Sequence, residues 1–151
     1  MTDKPVRSEV DPLSTVREII RRSGHEIRNA LNGISVNVEV VKSRNGREGA
    51  GGEVSSFAQR AASDVAKASA LTNGALAIID VVLAAAAKGD LRSKSPYGDA
   101  NEIEVMIYGD RAATFVSDIG RLADEIDVSV EQQEQSVILR VLPEDRSHSK
   151  D

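Results

Sequence analysis

Cysteine and tryptophan are absent from the 151 residues, and aromatic side chains amount to 3%. Without cysteine there is no disulfide framework and no thiolate chemistry. With so few rings, any large core must be built from Ala, Val, Ile and Leu, a set that suits helices packed closely side by side. Basic charge is also short: 19 Lys and Arg stand against 24 Asp and Glu, a net charge of −5. That balance argues against a protein that holds nucleic acid by counterion release. No apolar run reads as long enough to span a bilayer, and the first ten residues, MTDKPVRSEV, lack the apolar centre of a secretory signal. A cytoplasmic protein with no membrane attachment is the expectation.

What is present is helical periodicity. Asp11-Pro12 reads as a helix start, because an Asp side chain accepts first-turn amides while Pro fits the first helical position. From there Ile20, Ile27, Leu31, Ile34, Val38 and Val41 recur in steps of seven, four and three, a heptad stripe that predicts a helix to about Ser43. RNGREGAGGE, residues 44 to 53, has four glycines and no apolar side chain larger than alanine, as a loop between helices would. Val54, Ala58, Ala61, Val65, Ala68, Thr72, Ala75, Ile79, Val82 and Ala86 then predict a second helix to about residue 88. Two helices cannot enclose both stripes together with Phe57, Leu71, Leu76, Ile78 and Leu83, so a second copy is expected to cover them. The alanine run 84 to 87 reads as tight packing at the bundle's end.

KGDLRSKSPYGDAN, residues 88 to 101, is rich in turn formers and marks a boundary. Beyond it EIEVMIY alternates like a strand, and Asp110 is placed to cap a helix with Ala113, Val116, Ile119, Leu122, Ala123 and Ile126 on one side. DVSVEQQ and SVILRVL read as two more strands joined near Glu134 and Gln135. The expected fold is therefore α+β: a long antiparallel helical hairpin over residues 12–88 forming a dimeric four-helix bundle, then a small β-α-β-β subdomain over 102–142. Residues 1–11 and 143–151 are read as tails, and His148 in the second has no partner in sequence.

GHEIRNALNG, residues 24 to 33, is the stretch that carries chemistry. His25, Asn29, Asn32 and Val36 share a helix face beside the apolar seam, continued by Glu39 and Val40. There a neutral imidazole can keep one nitrogen in solvent and act as a nucleophile. Glu26 stands next to it, and Asn29, one turn on, can hold a water. Against this, a lone histidine on a helix is more often an ordinary surface or core residue. Arg28 equally suits a solvated charge paired with an acid on the second helix, and Asn32 a surface amide. Val36 and Val40 suit either a wide core stripe or an apolar docking face. Arg60, Asp64 and Lys67 suit either a solvated face or a partner contact.

His25-Glu26-Ile27-Arg28-Asn29, followed by Leu31-Asn32-Gly33-Ile34, resembles the phosphoacceptor box of the dimerisation and histidine-phosphotransfer domain of two-component sensor histidine kinases. The resemblance implies that His25 is phosphorylated, that Glu26 assists transfer and that Asn29 supports dephosphorylation of a response regulator. Arg28, Asn32, Val36, Val40, Arg60, Asp64 and Lys67 are the candidate contacts to that regulator's receiver domain. Ala30 stands where the family usually has proline, which implies a straighter helix. The family's ATP-binding domain carries an asparagine-bearing helix and glycine-rich motifs, Asp-x-Gly-x-Gly among them. Here Gly98, Gly109 and Gly120 are isolated and the 111–126 helix ends in LADEID. The chain is thus similar to bacterial histidine phosphotransferases, built like a kinase with a reduced ATP-binding-like domain. The expectation is a phosphotransfer protein with no cofactor and no metal, working as a homodimer with receiver domains. The alternatives are a regulator phosphatase in which Asn29 positions water, and a non-catalytic dimeric module that binds a kinase or regulator.

Overall fold

The computed structural model describes residues 11–44, 51–93 and 101–143. Within them the chain is α+β, with three helices and a four-stranded antiparallel sheet. Helix α1 runs Pro12–Arg44 and α2 runs Gly51–Lys88. Asp11 caps the first as its sequence suggests: Oδ1 accepts from the Leu13 amide at 2.9 Å, and Pro12 supplies a residue with no amide to satisfy. The hairpin's far end is tied by an ion pair between Arg44 and Glu53. The second helix begins within what reads as loop, since Gly51 to Glu53 are already helical.

The faces that meet are not the stripes expected. On α1 the buried residues are Thr15, Val16, Ile19, Arg22, Ser23 and Ala30, while Leu13, Ile20, Leu31 and Val38 stay exposed. On α2 they are Ala68, Leu71, Gly74, Ile78, Val82 and Ala85, while Val65, Leu76 and Leu83 stay exposed. The reason is the third helix. Because α2 must pack against both α1 and α3, its most buried strip turns toward their junction and leaves a second apolar strip open.

Strand β1, Leu91–Ser93, lies in the stretch read as turn-rich boundary, which is a correction to that reading. It has little strand character of its own and is held by antiparallel pairing with β2, Glu102–Met106, where Leu91 faces Val105. Then come α3, Asp110–Glu125, β3, Val128–Gln132, and β4, Ser136–Val141, in the sheet order β1-β2-β4-β3. Alternation is clear on β2, where Ile103 and Val105 are buried, and Glu102 on the other face pairs with Arg140 of β4 at 3.2 Å. Gly109, not Asp110, occupies the N-cap of α3; it has φ +69°, and the cap has no side-chain hydrogen bond. The residues facing the sheet and α2 include Ala112, Phe115, Ile119 and Leu122, whereas Ala113 is exposed. Residues 1–10, 45–50, 94–100 and 144–151 lie outside the described residues, and with them most of what the sequence reads as tails, His148 included, and as inter-helix loop.

One continuous core joins Val16 and Ile19 of α1, Leu71, Ile78, Val82 and Ala85 of α2, the inner face of the sheet, and α3. It fills one end of the hairpin. Among the described residues none of α1 beyond Ala30, and none of α2 before Ala68, is buried, so the rest of the hairpin projects as a two-helix arm. Helix α2 is also, by length and composition, apolar enough to cross a membrane. That corrects the expectation that no such run exists. Much of its apolarity comes from alanine, and its buried strip is occupied by α1 and α3.

Candidate functional site

His25 sits on α1 where the packed end gives way to the arm. Its neighbours in sequence are firmly held. Ser23 is buried and its Oγ donates to the Ile19 carbonyl at 2.7 Å. Arg22, 9% exposed, donates from Nη1 to the carbonyls of Ile126 at 3.0 Å and Leu142 at 2.9 Å, and from Nε to Glu18 at 3.0 Å. Glu18 is held to a pKa of about 2 chiefly by its hydrogen bond with Arg21; partial burial opposes this, and the Arg22 hydrogen bond and both positive charges add to it. The α1 segment just before the histidine is thus anchored to the end of α3 and the exit of β4.

The imidazole itself is exposed and, among the described residues, makes no hydrogen bond or ion pair. At about 100° per residue its direction is about 150° from the centre of the strip that Val16, Ile19, Ser23 and Ala30 bury, so it points away from α2. It also stands roughly a third of a turn from the exposed strip of Leu13, Ile20, Leu31 and Val38. Histidine and that apolar strip therefore occupy separate faces.

Asn29 is exposed one turn from His25 on the same side, and Arg28, Asn32 and Val36 are exposed as well, Val36 by 62%. Val40 is half-buried near the arm's end. Glu26 is half-buried and, one residue on, projects about 100° away from the imidazole; it makes no hydrogen bond with it. On α2, Arg60 is exposed and its guanidinium lies 5.2 Å from the centroid of the Phe57 ring. Asp64 faces α1: its Oδ2 accepts from Asn37 Nδ2 at 3.3 Å and would lie 2.8 Å from a Cβ placed on Gly33. Lys67 reaches across to Glu125 of α3 at 3.3 Å. The structure thus gathers His25, Arg28, Asn29, Asn32 and Val36 along the outer side of α1. It sets Asp64 and Lys67 in contacts between helices.

Sequence reasoning missed Arg22, Glu18 and Gly74. A Cβ on Gly74 would stand 2.9 Å from Leu122 Cβ, so the glycine is what lets α2 approach α3. A glycine in mid-helix was the available signal. Nothing in the local string marks the two carbonyl partners of Arg22, which lie more than a hundred positions away. Among the described residues no group of three His, Cys, Asp or Glu is placed to hold a metal ion. No family model, no curated protein and no solved structure matches the chain.

Proposed function

We propose that the chain is a histidine phosphotransfer protein that moves phosphoryl groups between receiver-domain aspartates through His25. The observation that carries this reading is an imidazole in solvent, without partners of its own, on a stretch of α1 that Arg22 ties to the rest of the fold. A ring nitrogen attacks the phosphorus of an aspartyl phosphate; the N–P bond forms, the P–O bond to the carboxylate breaks, and the carboxylate leaves. The reverse step on a second receiver returns the phosphoryl group to oxygen. No nucleotide is required, because an acyl phosphate is already activated. Arg28, Asn32 and Val36 lie on the approach to the ring and provide a cation, an amide and an apolar contact for a docking receiver.

The working form in this reading is a homodimer. Leu13, Ile20, Leu31 and Val38 on α1, with Val65, Leu76 and Leu83 on α2, are each 43% to 60% exposed, and covering them with a second hairpin gives a four-helix bundle. His25, on a separate face, stays accessible in that assembly. The proposed location is cytoplasmic, where receivers are found.

Incubation with phosphorylated receivers tests the reading: acid-labile phosphate is expected on His25 and is lost in His25→Ala. Unlabelled wild-type protein across a panel of receivers overturns it. Exposed Asn29, one turn from His25 and on the same side, favours a second activity, hydrolysis of the receiver phosphate by a water that the amide orients. Asn29→Ala separates the two, since it removes hydrolysis and spares transfer to His25.

A further inference from the structure

The C-terminal half of α2, the segment Met106 to Tyr108 and the first half of α3 line a groove of about 700 Å³, inside the ~300–1,000 Å³ typical of small-ligand sites. We propose that this groove binds a small organic cation with an apolar body. The proposal is independent of phosphotransfer at His25.

Its floor is apolar. Ala77 and Val81 come from α2, Met106 from the end of β2, Ile107 from just beyond it, and Phe115 from α3. Of these, Ile107 and Phe115 belong to the molecule's core, so the floor is fixed rather than loose. The rim is acidic: Asp80, Asp90, Asp110 and Asp118 stand against Lys88 and Arg111, four negative charges to two positive, a surplus of two. Among the described residues none of the four carboxylates is in an ion pair, and neither cation has turned to one. A rim that neutralised itself would gain nothing from a counter-ion, whereas this one leaves its surplus available. The positive end of α3 does not reverse the balance, because Asp110 lies in that helix's first turn.

Tyr108 lines the same groove and is 58% exposed, which adds an aromatic side chain to the acidic rim. The ligand is therefore an amine or quaternary ammonium carried on an aromatic or branched aliphatic body. The body fills the floor while the charge meets Asp80 and Asp118.

Three probes of matched shape test this by titration of the full-length protein: 1-naphthylmethylammonium, 1-naphthylmethanol and 1-naphthoate, with amide chemical shifts reporting the site. The cation is expected to bind tightest, with shifts centred on Ala77, Val81 and Phe115. Asp80→Asn and Asp118→Asn, both at exposed positions, should each weaken the cation by about fivefold and leave the neutral probe unchanged. Equal or tighter binding of naphthoate overturns the proposal. So does an absence of binding by all three at millimolar concentration, or shifts centred on the Leu31 and Val38 strip. Displacement of the cation by a 15-residue basic amphipathic peptide at a tenfold lower concentration also overturns it, and makes the groove a seat for a protein helix.

Discussion

Arg22 donates a hydrogen bond to the carbonyl of Leu142, 120 positions later, at 2.9 Å, and the same Nη1 reaches Ile126 at 3.0 Å. One nearly buried guanidinium thus binds α1 to two chain segments that leave the α/β part. Both carbonyls lie at points where backbone pairing ends, after α3 and after β4. Arg22 is their partner from another element.

Arg22→Met should accordingly destabilise the fold by about 2–4 kcal/mol, because it removes a charged donor from two carbonyls and frees Glu18 from one of its cations. Urea denaturation measures this. A loss of less than half a kcal/mol would mean that water replaces the guanidinium without penalty.

Acid sensitivity follows from Glu18. Its folded pKa of about 2 lies below the ordinary 4.5, so the unfolded chain takes up a proton first. Its stabilising contribution is complete above about pH 4.5 and disappears as the pH falls toward 2. The side chain is one-third exposed, so salt screens part of the effect. Urea midpoints between pH 5 and pH 2.5 should fall less steeply for Glu18→Gln than for the wild type, and parallel slopes would refute the assignment.

How much of this was readable in advance differs by element. The two long helices were, because Asp11-Pro12 and the three-four spacing are local signals, and so was the order strand, helix, strand, strand after residue 101. His25 is exposed as expected, but the seam it was placed beside, with Ile20, Leu31 and Val38, is not the strip that α1 buries. The strip that α1 and α2 bury was not readable: Ile20 and Ile19 are equally apolar, and what separates them is the α/β part packed at this end of the hairpin, whose core takes in Ile19. Nor was β1, whose Leu91-Arg92-Ser93 becomes a strand through its partner β2. Lys67 read as either a solvated charge or a partner contact because Glu125 is distant in sequence, though 3.3 Å away in space.

Gly74 gives a packing test. Gly74→Ala places a methyl 2.9 Å from Leu122 Cβ and 3.3 Å from its Cδ2, and overpacking of this kind costs about 1–3 kcal/mol. Alanine is otherwise the better helix former by about 1 kcal/mol, so any net loss comes from the contact. Gly74→Ala combined with Leu122→Gly, which removes both the Cβ and the Cδ2 that the methyl meets, should be less destabilised than the two single effects added, as measured by a thermal double-mutant cycle. Simple additivity would show that the helices move apart instead.

The exposed strip predicts assembly. Leu31→Asp and Val38→Asp each put a charge on a face proposed to be covered by a second hairpin, and both side chains are already open in the single chain. Sedimentation at micromolar concentration should give a dimer for the wild type and a monomer for the double variant, with the circular dichroism of the α/β part retained. A wild-type monomer would remove the four-helix bundle from the proposal while leaving His25 as exposed as before.

The histidine itself should matter to chemistry and little to folding. Because the imidazole is exposed and without partners among the described residues, His25→Ala is expected to change stability by no more than about 0.5 kcal/mol, the range of ordinary surface substitutions. His25→Gln keeps the size and a hydrogen-bonding group but has no nucleophilic nitrogen. Both variants should melt like the wild type and accept no label from a phosphorylated receiver. If they were strongly destabilised, lost label would no longer identify a nucleophile. If they were stable and still labelled, the phosphoryl group would be going to another residue.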